Sequence, residues 1–597
     1  MEKVFESYNS TIESSSLQIE ALKKKIHLIG TIRLLLVLAA IATIWLLWGH
    51  DWRLLVGIVL AYAIPFAVLM KYHNKLAFRK DHLESLCLLC TNELKGLNYD
   101  FSAFDGAPEM INGEHPFSLD LDIFGNCSFF QSVNRTVTAM GRERLINWFS
   151  QPLTEKEVIL KRQEAVKELT PRIRLRQNFY VTGILHTGKS NDSNLLSRLT
   201  DRSAFFANSL FWRAAVWIAP LFWIIAFAAL AMGHLSGALF GIFFLVSTVI
   251  AYMRGRKIGD LHTAVNKMEK ILASYANLSE CLEGEKFASE ELSDISRKLK
   301  GKGTTASQAI RRLSAHIGSL DSRGTLSGML LNIFTFRDTR TSIAIEQWNL
   351  AYGSKTGDWF DALAQFDSLS SLAGFAFNHP DYTYPTIADS YFTMSGIALG
   401  HPLIPRDVCV KNDISIGQNP WFLIITGANM AGKSTYLRTV GVNFLLATIG
   451  APVYADKLTI YPAKLVTSLR TSDSLTSNES YFFAELKRLK MIIDRLKQGE
   501  KLFIILDEIL KGTNSADKQK GSIALMKQLV TYNARGIIAT HDLALGDLEK
   551  EFLDQIKNYR FESDVTNDAL TFTYRLREGV AQNMNASYLM KKMGITL

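Results

Sequence analysis

Near the C-terminus, three short stretches carry residue types that together suit phosphate chemistry. The first is Gly427-Ala428-Asn429-Met430-Ala431-Gly432-Lys433-Ser434-Thr435, preceded by the apolar run Phe422-Leu423-Ile424-Ile425 and followed by a helical pattern. Strand, glycine-rich loop and helix in that order form a phosphate cradle. The glycines let backbone N–H groups close on phosphate oxygens, and the helix start adds partial positive charge. Lys433 then reaches the β- and γ-phosphates and Ser434 ligates Mg²⁺. The second stretch, Lys501 to Glu508, is an apolar strand ending in two carboxylates. Asp507 is expected to hold Mg²⁺ through water, and Glu508 to orient or deprotonate an attacking water. The third, Gly536 to Thr540, is a strand ending at His541-Asp542. A polar sensor of the γ-phosphate is expected at His541, because ligands of open α/β sheets bind at strand C-termini. Taken alone, His541 also reads as a surface histidine.

ATP and Mg²⁺ are therefore the expected cofactors, with Lys433, Glu508 and His541 as catalytic residues. Gly427 through Thr435 would contact nucleotide, and Ser434 and Asp507 the metal. Binding without turnover is the weaker alternative, since every catalytic residue type is present.

These elements need a chain that can hold them. At 597 residues it is too long for one core and should divide into several domains. A net charge of +9 suits either nucleic acid or an anionic membrane surface. Five thinly spread cysteines (Cys87, Cys90, Cys127, Cys281 and Cys409) argue against a disulfide scaffold and for a reducing compartment. The C-x-x-C at Cys87 and Cys90 lies in an apolar helical stretch and reads as ordinary buried thiols.

Leu34–Trp48 and Leu54–Met70 are almost purely apolar, as are Trp212–Met232 and Leu235–Tyr252, with short polar turns within each pair. Each run approaches or exceeds the ~17 residues needed to cross a bilayer core. Basic residues sit at the open ends: Lys23, Lys24, Lys25 and Arg33; Lys71, Lys75, Arg79 and Lys80; Arg254, Arg256 and Lys257. Positive-inside logic puts those ends, and the C-terminal half, in the cytoplasm. A multi-pass protein of the cell (inner) membrane is expected. Buried helices of a soluble core, or a cleaved signal peptide, fit the paired runs, which are nearly free of charge, less well. The spans lack the charge chain of an ion path, so anchoring is favoured over transport.

At finer grain the motifs resemble those of the MutS family of DNA mismatch-repair proteins. Thr426 to Thr435 is similar to its P-loop, with Asn429 and Met430 in common and Ala428 where the family usually has Pro. Asp507-Glu508-Ile509-Leu510-Lys511-Gly512-Thr513 resembles its D-E-I-G-R-G-T, and Ala539-Thr540-His541 its A-T-H. Asn478 to Glu485 is similar to G-R-S-T-F-x-x-E, which makes Ser480 the residue expected to reach the nucleotide of a partner subunit, with departures at Tyr481, Leu510 and Lys511. Upstream, Asn134 to Gly141, Trp148, Gln151-Pro152-Leu153 and Arg162 to Glu168 resemble the family's helical core. His401-Pro402-Leu403 and Gly579 to Gly594 resemble its entry to the ATPase domain and its helical tail.

The resemblance implies a homodimeric, Mg²⁺-dependent ATPase. Its expected fold is multidomain: an all-α core and lever carrying two transmembrane helical hairpins, then a C-terminal α/β P-loop domain of ABC type. The expected divisions are an N-terminal helix (1–29), hairpin 1 (30–72), a linker (73–117), core (118–205), hairpin 2 (206–252), core and lever (253–375) and ATPase with tail (376–597). The first 117 residues leave no room for the family's mismatch-reading and connector domains. DNA is the expected ligand, in mismatch repair or as other structures, without the family's mismatch discrimination. The lipid bilayer and unidentified proteins are the other expected partners. The competing function is an ABC-like coupling ATPase of a membrane or envelope complex that binds no DNA; against it, the sequence lacks an L-S-G-G-Q signature and has few spans.

Overall fold

The computed structural model describes residues 1–48, 52–186, 209–265, 268–301, 303–321, 325–428, 430–470, 481–566 and 569–582. Most of the chain is helical, and a mixed α/β region follows at the C-terminus.

Two long helices, α1 (Glu2–Leu46) and α2 (Trp52–Leu97), pack along each other. They run unbroken through the expected divisions at 29/30 and 72/73, so most of the expected linker is helix. Near the first division only Gly30 weakens the helix, and Pro65 is absorbed within α2. Where the pair leaves its apolar stretch, Leu22, Ile29 and Leu76 form one small core, and Val4, Tyr8, Cys90 and Leu97 another. Cys90 is buried, which pushes its thiol up to about 12, as expected of an inert thiol. All five cysteines are free, and the described residues contain no cluster of three or more metal-ligating side chains.

The base of this pair is fastened to the helical core by a buried polar chain. The Tyr8 hydroxyl donates to Asn378 Oδ1 (2.8 Å), Asn378 Nδ2 donates to Glu93 Oε2 (2.8 Å), and Arg135 Nε donates to Glu93 Oε1 (2.6 Å). Arg135 also lies over the Phe104 ring at 3.3 Å. Burying these charges is tolerable only because each is paired and hydrogen-bonded.

The core begins with α3 (Phe129–Val133), α4 (Ala139–Ser150), α5 (Lys156–Leu169) and α6 (Ile173–His186). It resumes with α9 (Met268–Glu283), α10 (Glu290–Lys300) and α11 (Ala306–Asp321), after α7 (Leu210–Ala231) and α8 (Gly237–Val265), which form the second hairpin. A short helix α12 (Leu326–Thr335) then leads into the 42-residue helix α13 (Arg337–Asn378). The last half of α13 is buried among α4, α5 and α10. Its Asp367 accepts hydrogen bonds from the N–H groups of Val137 and Thr138 and from the Thr138 hydroxyl, while that hydroxyl caps α4 through the Gly141 N–H. A Cβ on Gly141 would come within 2.3 Å of Asp367 Oδ2, so the glycine permits the contact. Burial raises the Asp367 carboxyl to about 7, against the pull of those hydrogen bonds.

Among the described residues, three helices are able to cross a membrane by length and composition: Glu2–Leu46, Leu55–Leu97 and Leu210–Ala231. The fourth expected span, Leu235–Tyr252, falls on α8, whose apolar stretch Gly237–Ala251 is shorter. Their apolar side chains point outward, among them Leu38, Trp45, Ile64, Trp217, Ile224 and Leu245. The small helix α12 also belongs to this apolar cluster: Phe334 packs against Trp223, Phe227 and Phe244, with centroids 5.0, 5.6 and 5.9 Å away.

The C-terminal region has two sheets. In the smaller, β1 (Thr386–Ile387), β5 (Lys457–Ile460), β2 (Met394–Leu399) and β3 (Asn412–Ile416) lie in that order. The larger has the order β10-β9-β4-β8-β7-β6, from β10 (Ala569–Glu578), β9 (Ile556–Thr566), β4 (Phe422–Gly427), β8 (Arg535–Thr540), β7 (Leu502–Asp507) and β6 (Lys464–Ser468). All its pairs are parallel except the edge strand β10 on β9. Every residue of β4, β7 and β8 is buried, as expected of central parallel strands covered on both faces. The covering helices include α14 (Lys433–Thr448), α15 (Tyr481–Lys497), α16 (Ser515–Thr531) and the short α17 (Leu548–Glu551).

Candidate functional site

Parallel pairing in register brings the C-terminal ends of β4, β8 and β7 side by side, with Thr426 opposite Thr540 and Asp507 opposite Ala539. The loop after β4, the two carboxylates after β7 and the histidine after β8 therefore converge, although Lys433 and His541 lie 108 residues apart. Gly427 and Gly432 have φ of 151° and 107°, and a Cβ on Gly427 would strike the Phe561 carbonyl oxygen at 2.5 Å. The turn needs glycine at both positions. Gly432 caps α14, whose first residue is Lys433.

Within the cluster the polar groups pair with one another. Lys433 Nζ donates to the carbonyl oxygens of Gly427 (2.7 Å) and Ala428 (2.9 Å) and lies 3.4 Å from His541 Nδ1. Burial lowers the pKa of this ammonium, with Glu508 and Asp507 opposing the shift. The Ser434 hydroxyl donates to Asp507 Oδ2 (2.5 Å). Burial raises the Asp507 carboxyl, and this hydrogen bond opposes it. Glu508, with φ of 48°, pairs with His541 Nε2 and with Lys511 Nζ (3.3 Å). The bond from His541 pulls its carboxyl down to about 2. A left-handed backbone at a non-glycine residue ending a strand stores strain of the kind that collects at functional sites.

Asp507 Oδ1 is buried with no partner among the described residues. Mg²⁺ takes only one or two protein oxygens and completes its shell with waters and phosphate oxygens. The Ser434 hydroxyl beside a half-satisfied Asp507 carboxylate fits that requirement.

Beside the loop is a cavity of about 390 Å³, lined among others by His401, Val408, Lys433, Ser434, Phe561 and Tyr574. Burial lowers the His401 imidazole to about 4, so it is neutral near pH 7. Phosphate-binding groups at one end and an apolar, aromatic wall at the other suit an amphipathic ligand that carries a polyphosphate.

Of the residues singled out from the sequence, Gly427, Gly432, Lys433, Ser434, Asp507, Glu508 and His541 come together here. Thr435 and Met430 also line the cavity, with Met430 77 % exposed; Ala428 lines it through the loop and Ala431 is buried behind it. Asn429 and Ser480 lie outside the described residues, as does most of the expected tail from 583 onward. Other contributors escaped the motif reading. Glu485, only 3 % exposed, accepts the N–H groups of Leu510 (2.6 Å) and Lys511 (3.2 Å) and so fixes the loop that follows Glu508. Its signal was the closing Glu of the stretch around Ser480. Phe561 and Tyr574 come from β9 and β10 and have no local motif. Asp120, also buried, accepts from the Thr467 hydroxyl and from the Leu469 and Arg470 N–H groups, and so ties the exit of β6 to the helical core.

These features define a mostly helical multidomain protein with a mixed α/β C-terminal unit. The family description "MutS domain III" matches residues 118–373, and "MutS domain V" matches residues 423–595. The DNA mismatch repair protein MutS of Thermotoga sp. (strain RQ2) is 33% identical over 237 residues, covering 39% of this chain and 29% of that protein. The protein of the same description from Chlorobium chlorochromatii (strain CaD3) is 33% identical over 240 residues, 39% of this chain and 27% of that one. MutS protein homolog 4 of Mus musculus is 30% identical over 235 residues, 38% and 24% of the two chains. Each match thus takes in less than a third of the relative's own length. The chain belongs to the MutS family.

Proposed function

We propose that this chain is a membrane-anchored MutS-type P-loop ATPase that binds and hydrolyses ATP as a homodimer and acts on DNA. The observation that carries the reading is the convergence of Lys433, Ser434, Asp507, Glu508 and His541 on one loop at the strand ends. In this reading the loop N–H groups and Lys433 hold the phosphates, and Glu508, kept ionised by His541, orients and deprotonates the attacking water. Ser434 and Asp507 would hold Mg²⁺, which would supply charge neutralisation on the phosphate oxygens. By the family resemblance, Ser480 is assigned the contact to the partner subunit's nucleotide. The base and ribose occupy the cavity between His401 and Tyr574.

The outward apolar faces of α1, α2, α7 and α8 support residence in a membrane, read here as the cell (inner) membrane, and the basic residues at the open ends of the apolar runs support a cytoplasmic ATPase unit. Curated relatives described as mismatch-repair proteins support DNA as the ligand. A second reading, a coupling ATPase of a membrane or envelope complex, is favoured by one feature. Helix α13 begins against the second hairpin and ends where the α/β unit starts, a continuous rod between the two.

The deciding experiment measures DNA binding by the detergent-solubilised chain across a salt series, with and without ATP, on homoduplex, mismatched and branched DNA. Binding that depends on nucleotide and weakens with salt supports the DNA reading. Intact ATP hydrolysis with no DNA binding at any salt would sink it and leave the coupling reading.

A further inference from the structure

Between the helices of the second hairpin runs an apolar groove of about 370 Å³. Its walls are Phe211, Ile218 and Phe222 of α7, Phe243 and Val246 of α8, and Phe336 at the junction of α12 and α13. Phe211, Ile218, Phe222 and Phe243 remain exposed, so the groove opens sideways toward the surroundings of the hairpin. From Phe211 to Phe222 the helix rises about 17 Å, close to the ~15 Å of hydrocarbon in one leaflet.

One end of the groove is basic. Arg213 lies on the first turn of α7, and Arg337 and Arg340 lie on the first turn of α13, directly after Phe336. The Arg340 guanidinium sits 4.4 Å over the Trp217 ring, next to the groove residue Ile218. Among the described residues, none of these three arginines is in an ion pair, and the neighbouring carboxylate Asp338 is buried. This end is also where the hairpin joins the helical core, the side toward which the sequence of α8 becomes basic at Arg254, Arg256 and Lys257.

We propose that this groove is a binding site for one anionic glycerophospholipid, with an acyl chain along the α7–α8 groove and the headgroup phosphate on Arg213 and Arg340. The inference rests on the membrane reading given above. Chain length and apolar walls match a single acyl chain within one leaflet, and the guanidinium fork matches a phosphodiester. Three cations without a carboxylate partner among the described residues favour a headgroup of net negative charge over a zwitterionic one, whose own cation they repel. A lipid held there touches Phe336, the residue that joins α12 to α13, and so stands at the membrane end of the rod that leads to the α/β unit.

The test uses the full chain in vesicles of phosphatidylcholine alone and of phosphatidylcholine with phosphatidylglycerol. Flotation reports membrane residence, and native mass spectrometry reports lipid retained per chain. The expected result is retention of phosphatidylglycerol about tenfold or more over phosphatidylcholine. Arg213→Ala with Arg340→Ala should abolish that preference while the chain still floats, and Arg340→Lys should keep part of it. Ala219→Trp, which fills the groove, should lower retention of both lipids. Equal retention of the two lipids by the unaltered chain, or a preference untouched by the double arginine substitution, overturns the site while leaving the membrane reading intact. A chain that floats with neither vesicle overturns both.

Discussion

At the strand ends of the large sheet, directed polar contacts place Lys433, Ser434, Asp507, Glu508 and His541, and hold the left-handed backbone at Glu508 against its strain. At the second hairpin, Phe334 meets Trp223 edge to face and lies tilted against Phe227 and Phe244, with their neighbours turned outward. The first region is specified atom by atom, because hydrogen bonds fail within a few tenths of an ångström and a buried unpaired group is costly. The second is specified by shape and apolarity, which tolerate exchange of one ring or branched chain for another. Substitutions that change single atoms should therefore act strongly on the first and weakly on the second.

The largest effect is expected from Lys433→Ala, which removes the cation on the phosphates. Phosphate release should fall about 10³-fold or more, while circular dichroism stays unchanged; a loss under tenfold would remove Lys433 from the site.

Next comes Glu508→Gln, with an expected loss of about 10²-fold or more in turnover and nucleotide binding retained. The same carboxylate gives a pH signature. A carboxyl held down at about 2 stays ionised, and keeps the stability its ionised form contributes, above its unfolded value of ~4.3, and loses both as pH falls toward 2. Glu508 protonation thus does not limit the native protein between about pH 4.5 and 7. In His541→Ala the carboxyl should return toward ~4.3, and the acid limb of the residual rate profile should move to higher pH. An unmoved limb would separate Glu508 from His541.

Third, Glu93→Ala strands the Arg135 guanidinium beneath the helix pair. A destabilisation of about 3 kcal/mol or more is expected, read by thermal unfolding in detergent and by new protease cuts near the base of α1 and α2. If the melting curve is unchanged, the polar chain from Tyr8 to Arg135 does not fasten the pair.

The smallest effect is expected at Phe334→Leu, about 1.5 kcal/mol or less, with ATP turnover within twofold of the unaltered chain. A large loss of turnover there would break the contrast and show that α12 acts on the distant site.

Local chemistry made the phosphate loop, both carboxylates, His541 and the apolar runs legible in the sequence, since each is written in a few consecutive residues whose spacing matches a strand, a turn or a span. Asp120, Phe561 and Tyr574 act only through contacts made by folding: Asp120 meets Thr467 across 347 residues, and nothing near either one announces it. At the first hairpin the apolar pattern stops where the membrane contact would stop, whereas the backbone hydrogen bonds of α1 and α2 run on, so the helix ends are not legible in that pattern. The placement of α12 was hidden as well, for its ten residues are too few to read as a span. The sequence by itself determined which residues can bind phosphate and which runs are apolar, because both depend on composition over short distances. Only the tertiary structure decided that His541 holds Glu508, that Tyr8 and Glu93 pin the helix pair to Asn378, and that α12 joins the second hairpin. Such pairings depend on strand register and on the burial of groups hundreds of residues apart.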